Sequence, residues 1–437
     1  MLNEPASSSA DRPIQRAPAA AGPLDQDYEN ARALVEQILR IDHEIQYSQT
    51  NPADIEIYMI SPDSRPIASF SGLLLLDSQE AFARLETQCA ALNFLPAFRT
   101  RDGDTTSPHM VHVLSGRPNP KPRGWTVNLL LLLLTVFTML LVGAPIGIAE
   151  AGISTQPLEQ CVQNGTLFEV CLLPELWRGL PYALSLLAIL GAHELGHYFL
   201  ARRHKLAVTL PYFIPFPMGF FGTMGAFIQL RQPMPNRKAL LDVGAAGPLI
   251  GLLVAIPILL LGIATSRVEA ISGPGILEGN SLVYALAKTL LLGQFYPANG
   301  MDMIMNQFAQ AGWTGLFVTA LNLIPIGQLD GGHTLYALIG KRARLLYYPL
   351  IAAVIGLSFL SQVWILWVIL LFLFGRIHAT PLDDITPLDT LRQRIGVLAL
   401  IVFVVTFVPI PLTIYDAGTE TPNLLLPLLC LLLLPKR

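Results

Sequence analysis

Long apolar runs constrain the fold of this chain more than any other feature of its sequence. From residue 127 onward, apolar stretches of about 20 residues recur, which is the length a helix needs to cross roughly 30 Å of hydrocarbon. Only 14% of the 437 residues are charged, whereas soluble domains are about 25% charged. Most of residues 1–120 has ordinary polarity. These patterns predict an α-helical polytopic membrane protein with a small soluble N-terminal part.

The apolar runs predict about seven or eight transmembrane helices. The run at 345–374 has polar residues in its middle, which favours a tight pair of helices over one long tilted helix. The run at 424–434 is short and is expected to form a half-span. The predicted spans are 127–148, 181–201, 239–263, 313–338, the pair within 345–374, 395–414 and 424–434.

Composition divides the chain into four predicted regions. The first is rich in Ala, Pro and Ser and has no apolar segment that could serve as a secretory signal. In the second, periodicity predicts helices at 27–39 and 78–92 and strands at 54–60 and 109–116. The regions are a disordered N-terminus at 1–23, a soluble α/β domain at 24–118, a proline-rich basic linker at 119–126 and a transmembrane part at 127–437.

Charged residues between the spans predict the orientation of the chain in the membrane. Lys and Arg gather on cytoplasmic loops, and basic residues precede the first span and follow the second and the fourth. The loop at 149–178 is acidic. The N-terminal domain should therefore face the cytoplasm or its topological equivalent. Cys161 and Cys171 would lie on the opposite, oxidising side, either as a disulfide or as two free thiols. The net charge of −3 gives no indication of nucleic-acid binding.

The sequence His193-Glu194-Leu195-Gly196-His197 lies inside the second predicted span. Positions i and i+4 share one face of a helix, so both histidines can bind one metal ion while Glu194 reaches a water held there. Ionisable side chains in a membrane helix are costly and indicate function. We predict that His193 and His197 are metal ligands and that Glu194 is a general base. The alternative is a hydrogen-bonded cluster without a metal.

A third metal ligand is expected from the stretch NLIPIGQLDGGH at 322–333. Pro325 and Gly327 should break the helix there, and broken helices at membrane depth occur where they line a cavity. The carboxylate of Asp330 follows this break, so we predict it as the third ligand. The alternative is an Asp that caps the next helix. His333 and His204 are weaker candidates, because both lie close to basic or polar loops.

The two motifs resemble those of the site-2 protease family of intramembrane zinc metalloproteases. That family pairs HExxH in one transmembrane helix with a later NxxPxxxLDGG-type motif. The resemblance implies one Zn²⁺ per chain held by His193, His197 and Asp330. It also implies that Glu194 activates water and that Asn322 helps to hold the substrate or the oxyanion.

Residues 211–251 extend the resemblance to the hairpin and third helix of the family, and they look closest to the branch of chloroplasts and photosynthetic bacteria. Many members have a Pro-Pro pair where this chain has Gly327-Gln328, so the local backbone is expected to differ there. The hairpin is expected either to bind a substrate by strand addition or to pack over the site. Small-residue spacing at 244–251 favours close helix packing.

The resemblance implies an intramembrane metalloprotease that cleaves membrane-anchored proteins within or next to the bilayer, as in regulated intramembrane proteolysis. A bacterial plasma membrane or a plastid membrane fits equally well. One alternative is an inactive site-2-protease-like scaffold or chaperone, which would be expected to lack a ligand or the Glu. Another is a zinc-binding transporter, which would need several polar sites along a path, whereas the sequence has one cluster.

Overall fold

The computed structural model describes residues 23–47, 57, 60–61, 63–101, 107–121, 123–153, 173–217, 219–271, 275–376 and 380–415. The chain divides into two compact units, Met1–Arg117 and Pro118–Arg437. Three predictions lie outside the described residues: disorder over 1–22, the state of Cys161 and Cys171, and the half-span at 424–434.

The first unit contains a four-stranded antiparallel sheet with the strand order β1-β2-β4-β3. The buried residues Phe70, Leu85, Phe98 and Val111 contribute to its core. Its elements are α1 (Pro23–Val35), β1 (Leu39–Gln46), β2 (Arg65–Leu74), α2 (Ser78–Ala91), β3 (Phe94–Thr100) and β4 (His109–Ser115).

Two sequence predictions for this unit were wrong in detail. The first helix ends at Val35, short of residue 39, because β1 begins at Leu39 and pairs with Leu74 of β2. Ile57 and Ile60 are helical and do not form the strand predicted at 54–60. The helix at 78–92 and the strand at 109–116 were predicted correctly.

Three described helices of the second unit are long and apolar enough to cross a membrane. They are α3 (Thr126–Glu150), α4 (Leu180–Arg203) and α5 (Arg237–Thr265), and they match the first three predicted spans. Helix α4 follows a 3₁₀ turn over Leu176–Gly179. Helix α5 packs against α4, and it also packs against the later helix α7, defined below.

The fourth predicted span, 313–338, is interrupted. A short helix α6 (Leu282–Leu292) precedes it, and the span itself consists of α7 (Gln307–Asn322) and α8 (Asp330–Ile339). Gly327 has a φ of 58°, which favours glycine. A Cβ on Gly331 would lie 2.0 Å from the carbonyl oxygen of Leu323, so the turn closes tightly only with glycine there. The predicted helix break near Pro325 and Gly327 is confirmed.

The remaining helices are shorter than the first three spans. The predicted pair within 345–374 is confirmed as α9 (Tyr347–Ser358) and α10 (Val363–Phe374). The span predicted at 395–414 is wrong over its last residues. Helix α11 (Thr390–Thr406) ends before the predicted span does, because residues 412–415 form a strand that pairs with another strand of the chain.

Short antiparallel strand pairs connect the helices. A hairpin of β5 (Tyr212–Pro215) and β6 (Thr223–Phe227) follows α4, as the resemblance implied. The side chain of Asn128 on α3 donates hydrogen bonds of 2.9 Å to the carbonyl oxygens of Leu210 and Pro211, which holds the hairpin against α3. The other strands are β7 (Arg267–Ala270), β8 (Gly275–Glu278), β9 (Met301–Ile304) and β10 (Leu412–Tyr415), paired as β7–β9 and β8–β10.

Candidate metal centre

Helix α4 places two histidines and one glutamate in the interior of the second unit. His193, Glu194 and His197 are only 3%, 4% and 6% exposed. The two imidazoles share one helix face, and their Nε2 atoms lie 3.1 Å apart. The helix therefore directs both imidazoles at one point, as the i, i+4 spacing predicts.

Asp330 joins the two histidines from the first residue of α8. Its Oδ2 atom lies 3.2 Å from Nε2 of His193 and 3.2 Å from Nε2 of His197. The break between α7 and α8 makes this approach possible, because it ends α7 and returns the chain toward α4. His193, His197 and Asp330 form a group that could hold a metal ion.

The backbone of α5 orients one of the two imidazoles. Nδ1 of His197 lies 2.7 Å from the carbonyl oxygen of Val243, so this nitrogen carries the proton and donates the hydrogen bond. The Nε2 lone pair of His197 is then directed at the point on which the two imidazoles and Asp330 converge. Hydrogen bonds of this kind fix the tautomer of metal-binding histidines.

Glycines of α5 allow the helix to approach both imidazoles. A Cβ on Gly247 would lie 2.1 Å from Nε2 of His197. A Cβ on Gly251 would lie 3.1 Å from Cβ of His193. The close packing that the small-residue spacing predicted is confirmed, and the surface against which these glycines pack includes the imidazoles themselves.

The donor set fits a divalent cation. Two neutral imidazole nitrogens and one carboxylate oxygen are a ligand set of catalytic zinc sites, which keep a further position open for water or substrate. In the described part of the chain, no Lys or Arg lies within ion-pair distance of Asp330. A bound cation would therefore compensate a partly buried carboxylate that otherwise has only histidine partners among the described residues.

Glu194 and Asn322 lie at the same centre. The backbone N–H of Ile228, just after β6, faces the Glu194 carboxylate. Nδ2 of Asn322, the last residue of α7, lies 3.2 Å from Nε2 of His193. The structure thus brings all five site residues predicted from the sequence into one place.

These five residues line a cavity of about 510 Å³. Residues 226–230 form one wall, and Val243 and Gly244 of α5 contribute to another. His333 also lines the cavity. His204 does not, because its Nε2 lies 2.9 Å from Oδ2 of Asp242, where Arg392 also binds.

Sequence reasoning missed the contributions of Val243, Gly247 and Ile228. A carbonyl oxygen or an N–H group has no side-chain signature, so nothing in the sequence marks Val243 or Ile228. The small-residue spacing did mark Gly247 as a position of close approach, but it did not indicate what approaches.

Comparison with known proteins agrees with this geometry. Residues 181–362 match the model of Peptidase family M50. That range includes the HExxH segment, the broken helix and all five residues of the centre. This match supports the resemblance of the chain to the site-2 protease family. The resemblance inferred from the two motifs is confirmed.

The chain is also similar to plant proteins. It is 31% identical over 282 residues to the probable chloroplastic zinc metalloprotease EGY2 of Oryza sativa subsp. indica, covering 63% of this chain and 48% of the relative. It is also 31% identical over 238 residues to the probable chloroplastic zinc metalloprotease EGY1 of Arabidopsis thaliana, covering 53% of this chain and 43% of the relative. The chain therefore spans about half the length of the curated relatives it matches.

Proposed function

We propose that this protein is an intramembrane zinc metalloprotease that hydrolyses peptide bonds of membrane-anchored protein substrates within or next to the bilayer. The observation that carries the proposal is the convergence of His193, His197 and Asp330 beside Glu194 in a cavity between apolar helices. The match of residues 181–362 to Peptidase family M50 and the relatives named probable zinc metalloproteases support it. A scaffold without activity or a transporter receives no such support.

His193, His197 and Asp330 would hold one Zn²⁺ per chain. When bound, the ion acts as a Lewis acid, which lowers the pKa of water and polarises a peptide carbonyl. The Val243 carbonyl keeps His197 in the tautomer that can bind the metal. Burial of both histidines excludes bulk water from the ligands, which strengthens electrostatic interactions at the centre.

We assign proton transfer to Glu194. Its carboxylate takes a proton from the attacking water and then gives it to the leaving amine, the usual work of a general base and acid. Asn322 is assigned to the substrate, where its side-chain N–H group donates to the carbonyl oxygen as negative charge develops. Its position 3.2 Å from His193 Nε2 supports this assignment.

Residues 226–230 are assigned to substrate binding. They form a wall of the cavity, and the N–H group of Ile228 faces Glu194. A helical substrate hides its peptide bonds, whereas an extended segment could pair with this edge and present one bond to the centre. We therefore propose that substrates unwind locally and bind here in extended form.

We further propose the topology predicted from the sequence. The chain crosses the membrane seven or eight times, and its N-terminal domain and active site lie toward the cytoplasmic or stromal-equivalent side. The proposed regions are a soluble domain at 24–118, a linker at 119–126 and the transmembrane metalloprotease domain at 127–437. Arg202 and Arg203 at the end of α4 support this orientation.

The test is zinc content and cleavage of a model transmembrane substrate in detergent, for wild type and Glu194→Gln. Glu269→Gln is the matched control, because Glu269 is exposed on β7. We expect about one zinc per chain in all three proteins. Cleavage should fall by a factor of about 10² to 10⁴ in Glu194→Gln alone. Wild-type cleavage by Glu194→Gln would refute the mechanism, and absence of zinc from wild type would refute the function.

A further inference from the structure

A second cavity, of about 310 Å³, opens where α3 begins and α4 ends. Three arginines line it: Arg123 before α3, Arg202 in the last turn of α4, and Arg231 after the hairpin. They come from three separate parts of the chain. Basic residues are common at the cytoplasmic ends of spans, but here they converge on one concave site.

The charge of these arginines is not compensated by neighbouring carboxylates. Arg123 donates a hydrogen bond to Oε1 of Gln229, and Arg231 donates to the backbone carbonyl of Lys121. Neither bond involves a carboxylate, and Arg202 has no ion pair within the described chain. The cavity lining contains no Asp or Glu. By contrast, Arg392, on α11, is paired with Asp242.

The other polar groups of the lining suit an anionic oxygen ligand. Tyr198, Thr209 and Tyr212 contribute a phenol, an alcohol and a second phenol. Guanidinium groups bind phosphate oxygens through paired N–H donors, and hydroxyl groups add further donors. The cavity therefore fits a phosphate ester or a sulfonate.

The position of the cavity favours a lipid over a soluble anion. Trp125 stands next to Gly124 of the lining and is exposed, as aromatic side chains are at membrane interfaces. The first turns of α3 expose Val127, Leu130 and Leu133. An anionic headgroup in the cavity would thus lie beside an apolar helix surface on which its acyl chains can pack.

We propose that this cavity binds the headgroup of one anionic membrane lipid. The bound lipid would also stabilise the backbone segment that forms one wall of the metal cavity. Residues 207–210 and Tyr212 line the lipid cavity, residues 226–230 line the metal cavity, and backbone hydrogen bonds join the two parts of the chain. Thr209 donates its N–H to Gln229, and Arg231 donates its N–H to Ala207.

The test is lipid binding by the full chain in detergent, measured by native mass spectrometry. Phosphatidylglycerol is the anionic probe, phosphatidylcholine the neutral one and glycerol phosphate the soluble competitor. The variant Arg202→Gln/Arg231→Gln removes two arginines of the cavity. The matched control Arg203→Gln/Arg342→Gln removes two exposed arginines outside it. This measurement does not depend on cleavage.

We expect one phosphatidylglycerol per wild-type chain and a Kd about tenfold or more higher in the cavity variant, with less than about a twofold change in the control. Three results would overturn the proposal: equal affinity in the cavity variant, an equal loss in the control, or equal affinity for phosphatidylcholine. Displacement by glycerol phosphate at equal concentration would also overturn it, because the ligand would then be a free anion. If the double variant does not fold, Arg123→Gln at the exposed rim takes its place, with the same expected direction.

Discussion

Two clusters of ionisable side chains lie in the interior of the second unit, and they differ in the cations available to their carboxylates. One is the metal cluster of His193, His197 and Asp330. The other comes from the part of the chain that connects α5 to α7, where the side chains of Glu278 on β8, Lys288 on α6 and Asp302 on β9 are buried. Nζ of Lys288 lies 3.7 Å from Oε1 of Glu278, and this lysine is 0% exposed.

The second cluster contains a cation of its own. Lys288 supplies a cation, its Nζ atom lies 4.4 Å from the ring centroid of Tyr284, and the Tyr284 hydroxyl donates a 2.8 Å hydrogen bond to Glu278. Burial raises the pKa of Glu278 and of Asp302, and it lowers the pKa of Lys288. These shifts follow from desolvation, which disfavours each charged form.

The metal cluster has no such cation among the described residues. Asp330 has only histidines as ion-pair partners, and their Nε2 atoms converge on its carboxylate oxygen. The comparison shows that burial of a carboxylate does not by itself indicate a functional site. What distinguishes the metal cluster is a carboxylate that has no Lys or Arg within ion-pair distance among the described residues, so that a bound cation would supply its compensating charge.

The largest expected effect is loss of the metal on removal of that carboxylate. Asp330→Asn should lower zinc from about one per chain to less than about a tenth, because an amide is a poor zinc ligand. Asp302→Asn is the matched control from the other cluster and should keep about one zinc. Metal analysis of the purified proteins measures both. Equal zinc content in Asp330→Asn and Asp302→Asn would contradict the claim that only the first of the two clusters binds the metal.

The second prediction concerns Lys288. Lys288→Met leaves two buried carboxyl groups without their cation, and breaking a buried ion pair costs about 3–5 kcal/mol of folding free energy. Thermal unfolding should show a large decrease in melting temperature, while folded protein keeps its zinc. Lys121→Met, in the linker, is the control. A melting temperature equal to that of the control would show that Lys288 does not stabilise this cluster.

The third prediction tests how closely α5 approaches the metal cluster. Gly247→Ala should weaken zinc binding about 10- to 100-fold, the range found when groups around a metal site are disturbed. The reason is that the added Cβ would lie 2.1 Å from Nε2 of His197. Gly356→Ala in α9 is the control, since a Cβ there meets nothing within 4 Å. Competition with a zinc chelator measures both affinities, and unchanged affinity in Gly247→Ala would contradict the packing.

The smallest expected effect is a pH dependence of the stability that is lost in Lys288→Met. Glu278 and Asp302 have a higher pKa in the folded protein than in the unfolded chain. Their contribution to stability is therefore present below the unfolded pKa and is lost as the pH rises through the folded pKa. Without Lys288 that loss is not offset by a cation. The difference in free energy of unfolding between wild type and Lys288→Met should therefore shrink as the pH falls from about 7.5 to about 5. A difference that grows on acidification would contradict this sign.

Most of the metal site could be predicted from local sequence patterns. The main features that could not be predicted depend on contacts between residues that are distant in sequence. The i, i+4 spacing placed His193 and His197 on one helix face, and Pro325 with Gly327 marked the break that positions Asp330. The end of α11 was misplaced because the pairing of 412–415 with β8 depends on residues more than 130 positions away. The pairing of Glu278 with Lys288 was not predicted although the two residues are close in sequence, because the sequence does not show which charged side chains are buried together.

The central claim is that His193, His197 and Asp330 bind one zinc ion, and X-ray absorption at the zinc edge of the wild-type protein tests it most directly. The account predicts nitrogen and oxygen ligands only, at about 2.0–2.2 Å, with an imidazole signature. That signature should weaken in His197→Ala. A spectrum with sulfur ligands at about 2.3 Å, or one left unchanged by His197→Ala, would contradict the account.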